Sequence, residues 1–192
     1  MRHFKTLMKG DDDILINPFR LEELMDTAER TEPRIYGCTL GGQPVERAEH
    51  SRYADFKWNK GTYPKYVSGG GFLVNWAAAL ALQNQIPKTP IISIDDAYIG
   101  IAMELAGYGG DDYIKRDLKF LSWGYRSERK KYNVCEIDKI VYFHKFTNTQ
   151  LDCFWNSFIQ YRDLCQLDRN KTDEERRNLE RGIKCKFVSI LF

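Results

Sequence analysis

Short apolar blocks separated by polar turns run the length of the chain, and their spacing switches between that of strands and that of helices. Phe4, Leu7 and Met8 precede three consecutive acids, Asp11-Asp12-Asp13, and Ile14, Leu15 and Ile16 follow them. Both flanks read as buried strand, the first beginning before residue 4. Asn17-Pro18 opens a helix, because Asn caps well and the fixed φ of proline suits the first helical position. Leu21, Leu24, Met25 and Ala28 then recur at helical spacing, Pro33 ends the segment, and 34–40 reads as a strand. Residues 41–62 make a long polar connection rich in turn formers, of a length that often carries function in compact domains.

Farther along, Gly69-Gly70-Gly71 lies between Val67 and Phe72. The triplet reads either as a flexible turn or as backbone that something approaches closely. Asn75 caps a helix through Gln83, and Pro87 and Pro90 break the chain before Ile91-Ile92-Ser93-Ile94. After Asp95-Asp96, the residues Ala97, Ile101 and Leu105 share one helix face, with Gly107 as the stop. Charged, irregular sequence over 109–133 leads into a strand over 134–143 that ends at His144. A last apolar helix face carries Leu151, Phe154, Trp155, Phe158 and Ile159, with Trp155 read as core. Beyond Cys165 the chain is highly charged, around Asp173-Glu174-Glu175-Arg176-Arg177, before an apolar tail from Phe187 to Phe192. Alternating helices and strands give an α/β class.

At 192 residues the chain can bury the core of one domain. Its net charge of +2 supplies no bulk electrostatic case for a nucleic-acid partner. No apolar run approaches the ~20 residues of a membrane span, and the opening Met-Arg-His-Phe-Lys-Thr lacks the apolar stretch of a secretory signal. Read alone, those features place the chain in the cytosol. The cysteines at 38, 135, 153, 165 and 185 include no CxxC pair, so a zinc site of that type is not indicated. Their odd number allows two disulfides and a free thiol, or none. Asn170-Lys171-Thr172 is an acceptor triplet for N-glycosylation.

Three carboxylates at the end of a buried strand repel one another and lose hydration, a cost that a divalent cation held by oxygen ligands removes. The competing reading is a solvated acidic turn. An EF-hand is excluded, because that loop needs acids at alternating positions, a central Gly and a terminal Glu. The second acidic pair, Asp95-Asp96, opens a helix, where it could cap the N-terminus or present a general base. A histidine between Phe143 and Lys145 is by itself as well explained by a satisfied core or surface residue.

Taken in order, Lys9-Gly10-Asp11-Asp12-Asp13 with Asn17, Tyr63-Pro64-Lys65-Tyr66-Val67-Ser68-Gly69-Gly70-Gly71-Phe72, Ile94-Asp95-Asp96-Ala97-Tyr98-Ile99-Gly100 and a strand ending in His144 resemble the β-1,3-galactosyltransferase and β-1,3-N-acetylglucosaminyltransferase family, glycosyltransferase family 31. The resemblance runs from about Leu7 to Cys165. It implies a GT-A fold, a mixed and mostly parallel sheet flanked by helices, and an inverting, Mn²⁺-dependent transfer. The donor would be UDP-galactose or UDP-N-acetylglucosamine and the acceptor the 3-hydroxyl of a glycan on protein or lipid.

Carried across by position, Asp13 and His144 would ligate Mn²⁺, and Asp11 and Asp12 would lie in the donor site, Asp11 near the ribose and diphosphate. Asp96 would be the catalytic base and Asp95 would orient the acceptor. Gly69, Gly70 and Gly71 would let the backbone meet the donor sugar. Tyr53 matches an acceptor-binding aromatic position, with Trp58 and Trp123 as candidate sugar platforms. Cys135 and Cys165 match a family disulfide, leaving Cys38, Cys153 and Cys185 unassigned. The resemblance implies a Golgi membrane protein facing the lumen. It makes 1–165 the C-terminal portion of the GT-A domain and 166–192 a charged extension. The strands that hold uracil and ribose, the stem and the membrane anchor then fall outside this sequence. The alternative is a relative that keeps the fold and binds sugar or a partner without turnover.

Overall fold

The computed structural model describes residues 5–116, 120–121, 139–144 and the helical positions 151, 152, 155, 156, 158 and 159. The elements are β1 (Thr6–Gly10), β2 (Ile14–Ile16), α1 (Pro18–Thr27), β3 (Ile35–Leu40), β4 (Tyr66–Asn75), α2 (Trp76–Gln85), α3 (Asp95–Leu105), α4 (Gly110–Tyr113), β5 (Ile114–Arg116), β6 (Phe120–Leu121) and β7 (Tyr142–His144). The first strand begins at Thr6 rather than before residue 4.

Two sheets form, ordered β1-β4-β3-β5 and β2-β7-β6. β4 runs antiparallel to both of its neighbours and β2 antiparallel to β7, while β3–β5 and β6–β7 are parallel. The expectation of a mostly parallel sheet therefore fails among the described strands. The physical reason is β4, which occupies the centre of the larger sheet and reverses direction against both sides.

The sheet separates two apolar layers. On one face Ile35, Val67, Phe72 and Val74 pack against Ala78 and Leu82 of α2 and Ala102 and Met103 of α3. On the other, Leu73 packs with Val141 and Tyr142 under Leu21 and Leu24 of α1. This alternation along β4 is the period-2 pattern of a strand buried on both sides. Gly100 lets α3 approach β4 closely, since a Cβ there would stand 2.6 Å from the Tyr66 Cβ.

The predicted caps form. Asn17 Oδ1 accepts from the Phe19 and Arg20 amides at 3.2 and 3.3 Å. Asn75 Oδ1 accepts from the Ala78 amide at 2.9 Å, and its Nδ2 donates to the Glu29 and Glu32 carbonyls at 2.6 and 2.7 Å. That buried side chain ties the start of α2 to the connection between α1 and β3. Gly107, with φ +92°, takes the left-handed conformation that ends α3.

Three helix expectations are corrected. Met25 is exposed and α1 buries none of its residues fully, because it covers only the small patch around Leu73. Leu105 is 49% exposed, since the buried face of α3 is set by Ala97, Gly100, Ile101, Ala102 and Met103 and turns away before the last residue. Trp155 is 40% exposed, Phe158 having taken the buried position beside it, with ring centroids 6.1 Å apart. Ile140 and Val141 are buried but precede the strand, which covers only Tyr142–His144 of the expected run; 134–138 lie outside the described residues.

Candidate active site

The site is built where β1 and β7 end beside the glycines of β4. β3 steps two residues, from Gly37 to Thr39, while β4 steps five, from Phe72 back to Val67, so the glycine segment bulges out of the ladder. Such a bulge breaks the in–out alternation and aims neighbouring groups differently from a regular strand. The glycine triplet is therefore bulged strand, not a flexible turn. On its other edge it remains held, for Gly10 pairs with Gly71 and the Asp11 amide donates to the Gly70 carbonyl at 3.1 Å.

Each glycine makes room for a particular side chain. A Cβ on Gly69 would sit 3.2 Å from Asp96 Oδ2, and one on Gly71 would sit 3.3 Å from the Tyr142 ring. A Cβ on Gly70 would lie 2.3 Å from His144 Nδ1, closer than any real contact, so His144 rests directly on bare backbone. Gly70→Ala is expected to push the imidazole aside while leaving the core intact. Divalent-metal affinity should fall by ~10–100-fold, as for loss of an orienting partner, with near-native circular dichroism. Mn²⁺ titration checks this, and unchanged affinity would separate His144 placement from metal binding.

His144 faces the acidic turn, its Nε2 lying 3.1 Å from Asp13 Oδ1 and 3.5 Å from Asp11 Oδ2. One ligand atom from each of Asp11, Asp13 and His144 falls within 4.8 Å of the others. The shorter of these separations is about the ~3 Å edge of a coordination octahedron with ~2.1 Å bonds. Asp13 Oδ1 is also buried without a hydrogen-bond partner among the described residues. An orphaned buried carboxylate oxygen next to an imidazole is a donor set that fits a divalent cation. Asp12 points outward and is exposed.

Asp95 and Asp96 occupy the first turn of α3, and the capping position belongs to Ile94, so neither acid is the N-cap residue. Asp96 Oδ2 accepts from the Gly69 amide and its Oδ1 from the Ala97 amide, each at 2.8 Å. Burial raises the Asp96 pKa above the ordinary carboxylate range; the two amide donors oppose this, Asp95 adds to it, Lys9 opposes it, and the raised value prevails. Nearby Tyr66 is pushed up to about 12, by burial and then by the Asp96 charge. Asp95 itself is exposed.

Lys9, to which its sequence motif gives no role, completes the site. Its Nζ lies 2.6 Å from Asp11 Oδ1, donates to the Gly69 carbonyl and stands 3.5 Å from Asp95 Oδ2. Burial alone would lower its pKa, but the Asp11 hydrogen bond and the Asp95 and Asp11 charges outweigh it and hold the ammonium above its ordinary value. Nothing in a lysine one residue ahead of a glycine marks this role from sequence, because two of its partners, the Gly69 carbonyl and Asp95, come from distant segments.

The 41–62 connection is ordered by buried groups. Asp55 accepts from the Lys57 and Trp58 amides and from the Tyr63 hydroxyl, at 2.8, 3.2 and 2.9 Å, while Arg47 donates to the Asp55 and Trp58 carbonyls. Trp58 is only 7% exposed and donates its indole N–H to the Thr62 carbonyl at 3.0 Å. It is a core residue of the loop, which corrects the expectation of a sugar platform. Tyr53 is exposed, with the Arg52 guanidinium 4.6 Å above its ring. Cys38 is a half-buried free thiol on β3. Trp123, Cys135, Cys153, Cys165, Asn170 and Cys185 lie outside the described residues.

This arrangement of acidic turn, glycine bulge and acid-led helix falls almost wholly within residues 1–109, the span matched by the profile of the family described as Galactosyltransferase. The chain belongs to that family. Among similar proteins, UDP-GlcNAc:betaGal beta-1,3-N-acetylglucosaminyltransferase 7 of Mus musculus is 27% identical over 155 residues, covering 78% of this chain and 38% of that protein. Acetylgalactosaminyl-O-glycosyl-glycoprotein beta-1,3-N-acetylglucosaminyltransferase of Homo sapiens is 25% identical over 162 residues, 81% of this chain and 41% of its own length. UDP-GalNAc:beta-1,3-N-acetylgalactosaminyltransferase 1 of Mus musculus is 23% identical over 160 residues, with shares of 81% and 46%. This member of the galactosyltransferase family thus spans under half the length of these relatives. Among the described residues, no helix is long and apolar enough to cross a membrane.

Proposed function

We propose that this chain is part of an inverting β-1,3-hexosyltransferase that moves a sugar from a UDP donor to the 3-hydroxyl of an acceptor glycan. The observation that carries the reading is the glycine bulge, where Gly69 receives Asp96 and Gly70 receives His144. Lys9 links the two groups at this bulge, its Nζ 2.6 Å from Asp11 Oδ1 of the metal-ligand cluster and 3.5 Å from Asp95 Oδ2, beside the acid suited to proton abstraction. The mixed sheet flanked by helices is on this reading a GT-A domain, with 1–165 as its C-terminal portion. The relatives reported above are named for N-acetylglucosamine and N-acetylgalactosamine, which favours a UDP-N-acetylhexosamine over UDP-galactose. A lumenal, Golgi-anchored full-length protein follows from the same family reading.

Inversion requires one displacement. Asp96 takes the proton of the acceptor hydroxyl, the hydroxyl oxygen bonds to the anomeric carbon, and the bond to UDP breaks on the opposite face. Its elevated pKa makes Asp96 a stronger proton acceptor than an ordinary carboxylate, and the amides of Gly69 and Ala97 fix its orientation. Asp13 and His144 would hold Mn²⁺ with Asp11 beside the diphosphate. Such an ion neutralises charge on the departing group. Asp95, exposed at the head of α3, would hydrogen-bond the acceptor.

The test is calorimetric titration of UDP into the full-length protein with Mn²⁺ and with a chelator. Transfer from UDP-N-acetylglucosamine, UDP-N-acetylgalactosamine and UDP-galactose to a β-galactoside is then measured. Mn²⁺-dependent binding with transfer is the expected result. Binding without transfer would replace this reading with the non-catalytic one, and neither would end both.

A further inference from the structure

We infer that Lys9 is a positioning residue, a three-way tether that fixes the acid-bearing end of α3 against the metal-binding turn. The inference rests on the function proposed above. Lys9 lies on β1 opposite Phe72 and joins the acidic turn two residues on to two distant segments, the glycine bulge and the head of α3. Its Nζ meets Asp11 Oδ1 at 2.6 Å, the Gly69 carbonyl, and Asp95 Oδ2 at 3.5 Å. An ammonium has three donors, of which two go to Asp11 and the Gly69 carbonyl while Asp95 stands within ion-pair distance.

Gly69 is the pivot. Its amide holds Asp96 Oδ2 at 2.8 Å while its carbonyl is held by Lys9. Three consecutive glycines form a permissive backbone, able to sample conformations closed to other residues. A bulge of that kind could not by itself hold Asp96 and His144 at a set separation. Gripping Gly69 from both sides removes this freedom at the point where it would loosen the site. Lys9 also balances Asp11 and Asp95, which would otherwise repel across the same gap. In transfer chemistry the spacing of base and donor decides whether the acceptor oxygen is in line, and misplacement by ~1 Å can cost ~100-fold in rate.

The experiment compares Lys9→Met with wild type in the full-length protein. Turnover should fall by ~10–100-fold with little change in KM for the donor, as for other residues that orient reacting groups. Amide exchange at Gly69 and Asp11 should quicken by ~10-fold, with the Ala78 amide of α2 unchanged as a control. Affinity for Mn²⁺ alone should be no weaker, since the variant removes a cation that competes for Asp11. That opposition between turnover and metal affinity is not expected of a merely structural residue. Lys9→Arg, which keeps charge and donors in a different shape, should recover part of the loss.

Unchanged exchange at Gly69 and Asp11 would overturn the tether whether or not the protein turns over. So would wild-type kcat in Lys9→Met, or a joint fall in Mn²⁺ affinity and melting temperature. If wild type itself transferred no sugar, the proposed function would fall while amide exchange still decided the role of Lys9.

Discussion

Replacing Asp96 with Asn is expected to lower turnover of the full-length protein by ~10²–10⁴, the range for loss of a general base. The substitution is nearly isosteric, and the remaining amide oxygen can still accept from the Gly69 N–H that Asp96 now holds at 2.8 Å, although the Asn NH2 cannot accept from the Ala97 N–H as Oδ1 does. The fold should therefore survive. Stability makes a second, opposite prediction. Burial raises the folded-state pKa of Asp96, so the folded protein favours the protonated acid. Its stabilising contribution is full below the ordinary carboxylate pKa and is lost as pH rises through the raised value. At neutral pH the native carboxylate is thus a cost that neutral Asn does not carry, which offsets the acceptor lost at the Ala97 amide, and Asp96→Asn should melt close to wild type.

The same sign governs activity. The proton-accepting form is the carboxylate, so the acid limb of kcat/KM should lie above the ordinary Asp range and disappear in the variant. Steady-state kinetics across pH, with thermal melts of both proteins, checks all three expectations. Near-normal turnover with an unchanged acid limb would sink the base assignment.

Asp13→Ala should produce the largest loss of binding. Asp13 Oδ1 is buried without a hydrogen-bond partner among the described residues and lies 3.1 Å from His144 Nε2. Leaving a carboxylate oxygen so placed is costly unless a cation completes it. Changes to groups that only orient ligands cost ~10–100-fold in metal affinity, so removal of a ligand should cost ~100-fold or more. Mn²⁺-dependent UDP binding should vanish with it. His144→Ala should do the same, while Asp12→Ala, altering an exposed side chain of the same triplet, should change Mn²⁺ affinity little. Calorimetry with Mn²⁺ alone and then with UDP reads each step. Wild-type Mn²⁺ affinity in Asp13→Ala would place the metal elsewhere.

Local features of this protein were written in the sequence because local physics decides them. Asn17 and Asn75 cap helices through bonds to amides two or three residues on, and Gly107 ends α3 through its own backbone freedom. The acidic turn, the buried strands around it and the ordered motifs of the family were legible for the same reason. Other features depended on which distant segments meet. Sequence could not show that β4 runs against both neighbours, since strand direction is a property of the pair. Nor could it show that Trp58 turns inward to bond Thr62, or that Phe158 displaces Trp155 from the core. The glycine triplet allowed two readings until its bulge was seen to hold His144 on one residue and Asp96 on the next. Asp11 joined the metal-ligand cluster, and Lys9 met Gly69 and Asp95, only through tertiary contact. Sequence determined which chemical groups this protein carries and the elements that present them. The packing of β4 between β1 and β3 decided their distances, because contacts between remote segments are set by the energy of the whole fold and not by any local rule.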